Sequence, residues 1–127
     1  MLLVEEGVAW LAALAIIGIG VGYVAVPAKM MASFGLPLPA DVHGARWWLR
    51  PKGVRDIVSG LVVIAVVFAG DRHLLGLVLM VEALIPLGDM ATVLLGKGRV
   101  PTALGVHGLT ALVMLAAAAG LLAGAAR

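Results

Sequence analysis

Four acid–base side chains, Asp56, Glu82, Asp89 and His107, lie in stretches of sequence that are otherwise apolar enough to sit in a lipid bilayer. A charge at the bilayer centre costs about 2.5–3.5 kcal/mol on insertion scales. These groups must therefore be paired, protonated or in contact with a wet cavity. Two carboxyl groups held close together in a low dielectric share one proton, and such a pair supplies an acid and a base at neutral pH. The pattern predicts a site for acid–base chemistry.

An arginine beside such acids would hold the ionised carboxylate and a substrate oxygen. The predicted catalytic residues are Asp56, Asp89, Arg55 and His107, and the predicted substrate contacts are Arg50, Glu82, Tyr23 and Trp47. Soluble enzymes of the limonene-epoxide hydrolase type use a similar Asp/Arg/Asp arrangement, in which one acid activates water and the other protonates the epoxide oxygen. This is a likeness of chemistry and not of fold. It predicts epoxide opening, or a cyclase or isomerase reaction, on a small lipophilic substrate.

Other chemistries lack their sequence signals. Two acids and a histidine can bind a metal, but no HxxxH, HxxE or ExxH spacing occurs, so we predict neither a metal nor another cofactor. The chain has no cysteine, no Ser/His/Asp signature and no glycine-rich phosphate loop. Its basic residues flank apolar segments, where they favour membrane topology and anionic lipids over nucleic acid.

The composition indicates what must position these residues. Hydrophobic residues make up 63% of the 127 residues and charged residues 13%, and the mean hydropathy is +1.15. A soluble domain is nearer half apolar and one quarter charged. We predict one integral membrane domain over residues 1–127, an all-α four-helix transmembrane bundle. Its predicted spans are about 8–25, 51–69, 74–95 and 101–126, each long enough to cross a bilayer.

Basic residues set the predicted orientation. Seven of them lie in the first and third connections and at the helix edges of the first, against Arg72 and Arg127 on the other side. By the positive-inside rule these connections are cytoplasmic and both termini lie outside, in the cell inner or plasma membrane. The first connection, residues 27–49, has an apolar face and predicts a short interfacial helix near Pro27 to Phe34, as an anchor or as a lid over the site.

The depth of the polar residues predicts that they converge. Asp56, Asp89 and His107 each lie five or six residues from the cytoplasmic end of their spans, roughly 8–9 Å inside. Glu82 is two turns from Asp89 on the same helical face and about 10 Å deeper. Pro86 removes the hydrogen bond to the Glu82 carbonyl and predicts a kink there. We expect one cavity, open toward the cytoplasmic half. The alternative is a kinked helix whose acids are tied to Arg50, Lys52 or Arg55.

Three motifs resemble a known family: Phe34-Gly35-Leu36-Pro37, Arg50-Pro51-Lys52-Gly53-Val54-Arg55-Asp56 and Pro86-Leu87-Gly88-Asp89. They are similar to a bacterial and fungal family of small four-helix membrane proteins known only as a domain of unknown function. The resemblance implies a four-helix membrane fold and transfers no reaction.

Two other functions remain open beside an enzyme. A proton-coupled carrier such as the small multidrug-resistance transporters has this length, but those depend on a carboxylate in the first span, which is absent between Val8 and Ala25. A structural or accessory membrane protein would use the polar cluster to set helix register. The predicted partners are the lipid bilayer and a small lipophilic molecule, without nucleic acid. We also predict a homodimer. The Gly18/Gly22 ridge either packs within the bundle or forms the face of this dimer.

Overall fold

The computed structural model describes residues 2–125, and these residues form helices and short connections without any β-strand. The all-helical class is thus as predicted. In chain order the elements are α1 (Leu2–Ala25), α2 (Pro27–Ser33), α3 (Val42–Ala69), α4 (Arg72–Glu82), α5 (Leu84–Leu95), α6 (Val100–Thr102), a π-helical segment (Ala103–Gly108) and α7 (Leu109–Ala125). Ala126 and Arg127, which the predictions placed at the end of span four and beyond it, lie outside the described residues.

Three helical stretches of the described chain are long and apolar enough to cross a membrane: Leu3–Ala25, Arg72–Leu95 and Val100–Gly124. The last two combine α4 with α5, and α6 with the π segment and α7. The prediction of four spans therefore holds for three. The helix that contains the remaining predicted span, α3, has ample length, but residues 42–56 carry several basic side chains and Asp56.

The start of α3 corrects the sequence prediction. A loop was expected up to Leu49, with Pro51 in the first helical turn, but the helix begins at Val42 and contains Pro51. The Asp41 carboxylate caps this start by accepting a hydrogen bond from the Gly44 amide at 2.8 Å. The cap satisfies a backbone donor that would otherwise lack a partner, so the helix begins two turns earlier than Pro51 suggests.

Helices α1 and α3 pack antiparallel at very short distance because glycines line their contact. A Cβ atom on Gly20 would lie 2.6 Å from the Gly53 carbonyl oxygen, and one on Gly60 would lie 2.6 Å from that of Ala13. Such approaches are possible only without a side chain. At the other end of the pair, the Trp10 and Phe68 rings meet edge to face.

The core occupies the half of the bundle near the start of α1. It is made of small and medium apolar side chains from α1, α3, α4 and α7: Ala9, Ala13, Val63, Leu75, Leu79, Ala83, Met114, Ala117, Ala118 and Leu121. Glu5 lies against Gly120, so the start of α1 and the end of α7 are at the same end of the bundle. Many larger apolar side chains, such as Leu11 and Leu112, point outward instead. Outward apolar side chains are what hydrocarbon contact requires.

The short helix expected after span one is present as α2. After it, Gly35 adopts φ +101°, a conformation that favours glycine, and its carbonyl accepts a hydrogen bond from the Arg99 amide at 2.7 Å. The Phe34-Gly35-Leu36-Pro37 motif therefore ties α2 to the connection between α5 and α6.

Two irregularities interrupt the long helices. Between α4 and α5 the helix breaks at Ala83, directly after Glu82, where Pro86 cannot donate to the Glu82 carbonyl. The break predicted from Pro86 is confirmed. The π-helical segment was not predicted, and it contains His107. Such widened turns are often found at functional sites.

Candidate functional site

A cavity of about 210 Å³ lies between α1, α2, α3, α5 and the π segment with α7. One part of it is apolar, lined by side chains such as Ala12, Ile16, Ile85 and Met114. Its other lining side chains carry polar groups: Tyr23, Ser33, Lys52, Ser59, Glu82, Asp89, His107 and Thr110. A mostly apolar cavity with a few converging polar groups is the usual form of a small-molecule site.

Lys52 is the cation of this cavity. Its Nζ lies 2.7 Å from Oδ2 of Asp56, one turn along α3, and 3.8 Å from Oδ2 of Asp89 on α5. The Asp56 side chain is fully buried, while that of Asp89 is 21% exposed and lines the cavity. A single ammonium therefore bridges two carboxylates and compensates a charge that has no access to water.

Two aromatic rings complete the surroundings of this ammonium. Lys52 Nζ lies 4.7 Å from the Tyr23 ring centroid and 5.4 Å from that of Phe34. Both distances suit cation–π attraction, which gains strength away from water. Because Phe34 follows α2 directly, this short helix brings one wall of the cavity into place.

Glu82 lies on the far side of the polar wall and contacts Ser59. The Ser59 hydroxyl donates a hydrogen bond to Oε2 of Glu82. Within residues 2–125, no lysine or arginine lies at ion-pair distance from Glu82. Glu82 and Asp89 thus sit two turns apart on the cavity wall with different partners, a hydroxyl for one and an ammonium for the other.

His107 connects the π segment to the end of α2. Its Nε2 lies 3.1 Å from the Phe34 carbonyl oxygen, and the two rings are 5.0 Å apart. A carbonyl only accepts hydrogen bonds, so Nε2 must carry the hydrogen, which leaves Nδ1 as the acceptor of the neutral ring. His107 therefore holds the Phe34 wall in place as well as lining the cavity.

The structure brings together only part of the predicted site. Tyr23, Glu82, Asp89 and His107 line the cavity, and Asp56 lies behind Lys52. Three other predicted residues do not line the cavity: Arg50, Arg55 and Trp47.

The cation between the acids is a lysine and not the expected arginine. Arg55 is 54% exposed and reaches Asp56 at 3.3 Å, while the Arg50 guanidinium stacks over the Trp47 ring at 4.3 Å. Residues 52, 56 and 59 are three or four positions apart, so Lys52, Asp56 and Ser59 share one face of α3. Arg55 does not lie on this face. This spacing was the available signal for Lys52 and for Ser59. Only the alternative of a kinked helix named Lys52 as a partner of the acids, and no prediction named Ser59.

A metal site has no ready set of ligands here. In the part of the chain that the structure describes, no three His, Asp or Glu side chains are grouped so that they could hold an ion. Asp89 and Glu82 are instead engaged by Lys52 and Ser59.

The chain was compared with models of known protein families. The model of a family described as a domain of unknown function (DUF4267) matches residues 13–121. The matched range includes every polar residue of the cavity wall named above. No curated protein and no solved structure matches the chain.

Proposed function

Since the chain belongs to the DUF4267 family, to which no reaction is attached, we propose a function from its cavity: a membrane-embedded enzyme that performs acid–base chemistry on a small lipophilic molecule. One observation carries the proposal. A largely apolar cavity places two carboxyl groups, Asp89 and Glu82, in different surroundings on one wall. Carboxyl groups whose environments differ in this way can take the opposite roles of base and acid.

Asp89 is the base in this proposal. The Lys52 ammonium lies 3.8 Å from its carboxylate, and its partial exposure lets water reach it. Glu82 is the acid, because among the described residues its partner is the Ser59 hydroxyl and no lysine or arginine lies at ion-pair distance. Asp56 fixes Lys52, and Arg55 supports Asp56 from outside the cavity.

Hydration of a lipophilic epoxide is the reaction that suits these roles best. Asp89 removes a proton from a water molecule as its oxygen bonds to a ring carbon. The ring C–O bond breaks, and the released oxygen takes the Glu82 proton, so that the product is a diol. Exchange with water then returns a proton to Glu82 and removes one from Asp89. General acid–base groups of this kind contribute about 10²–10⁴-fold each to a rate.

The experiment uses the purified full-length protein in lipid nanodiscs with limonene oxide or a similar lipophilic epoxide. Diol formation is followed by mass spectrometry, with oxygen-18 water to show the source of the added oxygen. Asp89→Asn and Glu82→Gln should each lower turnover by about 100-fold or more. The matched control is Asp71→Asn, at the N-terminus of α4, because asparagine caps a helix as well as aspartate.

Two results would contradict the enzyme proposal. One is undiminished turnover in the Asp89→Asn protein, and the other is the absence of diol from every epoxide tried. If the same variants instead abolish pH-dependent uptake of an unchanged ligand into vesicles, the protein is a carrier. If they only lower stability, the cluster is structural.

The arrangement in the membrane is part of the same proposal. We propose that α3 is a fourth span, because it packs along the whole of α1, which is itself apolar enough to span. The end with the cavity then faces the cytoplasm, as the basic residues of the first and third connections and their helix edges favour, and the start of α1 and the end of α7 lie outside. We place the protein in the cell inner or plasma membrane, in contact with lipid.

We also propose a homodimer, but only part of the glycine ridge that was expected to form its interface is free for a partner. Gly22 of the predicted ridge packs against Met30 of the same chain, whereas Gly18 faces open space. A partner helix could therefore approach only the Gly18 part of that ridge.

A further inference from the structure

The charges around the cavity do not balance among the residues that the structure describes. Lys52 and Arg55 compensate Asp56 and Asp89, and these four charges cancel. Glu82 is left over, with the Ser59 hydroxyl as its partner. Glu82 is thus the carboxyl group of this cavity that has no lysine or arginine beside it in the described part of the chain.

Two further lining residues carry ionisable groups, His107 and Tyr23, and in the described part of the chain both contact backbone carbonyls rather than Glu82. His107 donates through Nε2 to the Phe34 carbonyl. The Tyr23 hydroxyl lies near the Met30 carbonyl at 3.5 Å, and a phenol has no cationic form.

The same wall already holds an alkylammonium group, that of Lys52. Carboxylate oxygens and the faces of Tyr23 and Phe34 surround it, which are the groups that recognise organic cations. Beside it, the apolar part of the cavity has the character that a hydrocarbon chain requires. A ligand with an amine at one end and a short hydrocarbon chain at the other would match both parts.

We propose that this cavity binds small lipophilic amines as ammonium ions, with the Glu82 carboxylate as their counter-ion. An ammonium ion from water displaces the proton of Glu82 and releases it to the solvent, so that the number of charges in the cavity stays balanced. The hydrocarbon chain lies against the side chains of α1 and α5. The inference deepens the proposed function. It rests on that function only because both use the same cavity and the same Glu82 proton.

The experiment compares octylamine with 1-octanol, which has the same chain and no charge. Each is titrated calorimetrically into the full-length protein in phosphatidylcholine nanodiscs, with empty nanodiscs subtracted. Wild-type protein should bind octylamine at least about tenfold more tightly, since a charge-assisted hydrogen bond is worth about 1.5–3 kcal/mol. Titrations near neutral pH in two buffers of different ionisation enthalpy should show about one proton released per amine and none for the alcohol.

Glu82→Gln should remove both the preference for the amine and the proton release, whereas Asp71→Asn should keep them. Equal affinity for amine and alcohol in the wild-type protein would overturn the inference, as would a preference that survives in Glu82→Gln. If Glu82→Gln does not fold, the wild-type affinity ratio and proton release decide alone. Epoxide turnover is measured separately, so either proposal can fail while the other stands.

Discussion

Replacing Lys52 by methionine tests the central ion pair of the cavity. Methionine has a similar length and flexibility but no charge. The substitution leaves the Asp56 carboxylate, which is fully buried, without the ammonium that lies 2.7 Å away. We expect a large loss of stability, because a buried charge without its partner is one of the costliest defects in a folded protein.

The size of the loss follows from what remains around Asp56. Removing one partner of a buried pair costs about 3–5 kcal/mol. Arg55 stays at 3.3 Å and supplies part of the compensation, so we expect the lower end, about 3 kcal/mol. Arg55→Met is the matched control. Its side chain is more than half exposed, and exposed pairs contribute about 0.2–1 kcal/mol.

Equilibrium unfolding in mixed micelles of sodium dodecyl sulfate and dodecyl maltoside, followed by far-ultraviolet circular dichroism, measures these differences. The double variant Lys52→Met/Asp56→Asn removes both charges and should regain at least about half of the loss. The reasoning fails if Lys52→Met costs no more than Arg55→Met. It also fails if the double variant is less stable than Lys52→Met alone, because the defect would then not be the unpaired Asp56 charge.

Two further predictions concern packing and the Phe34 wall. Gly20→Ala should destabilise the protein by about 1–3 kcal/mol, because the new methyl group would meet the Gly53 carbonyl oxygen, whereas Gly18→Ala on the same helix meets no atom and should cost nothing in the same unfolding assay. His107→Phe should cost about 1 kcal/mol and raise hydrogen exchange in α2, since it removes the bond to the Phe34 carbonyl. Unchanged exchange in α2 would show that His107 does not hold this wall.

Residue types and short spacings predicted much of this protein. The apolar composition predicted an all-helical chain, and three of its helical stretches are long and apolar enough to span a membrane. Pro86 predicted the break after Glu82 because a proline cannot donate the backbone bond that would continue the helix. The matched depths of Asp89 and His107 also placed both at one cavity, since helical rise per residue is nearly constant.

The identity of the cation beside the acids depended on more than depth. Arg55 is adjacent to Asp56 in sequence, but neighbours on a helix point about 100° apart, and the long arginine side chain reaches out of the bundle. Lys52 is one turn from Asp56 and faces inward beside Asp89 of another helix. The sequence pattern likewise did not predict the start of α3 at Val42 or the π-helical turn at His107.

The sequence alone thus determined properties that are local or additive: helical class, apolar spans, the position of the break, and the cost of charges that demand partners. The tertiary structure decided which partners they find. Ion pairs, hydrogen bonds and the lining of the cavity depend on the rotation of each helix and on the distance between helices. Here glycine contacts such as Gly20 with Gly53 determine this rotation and this distance. Because these contacts join residues far apart in the chain, only the folded protein shows that Lys52 bridges two acids. It also shows that Glu82 bonds to the Ser59 hydroxyl and, within residues 2–125, forms no ion pair.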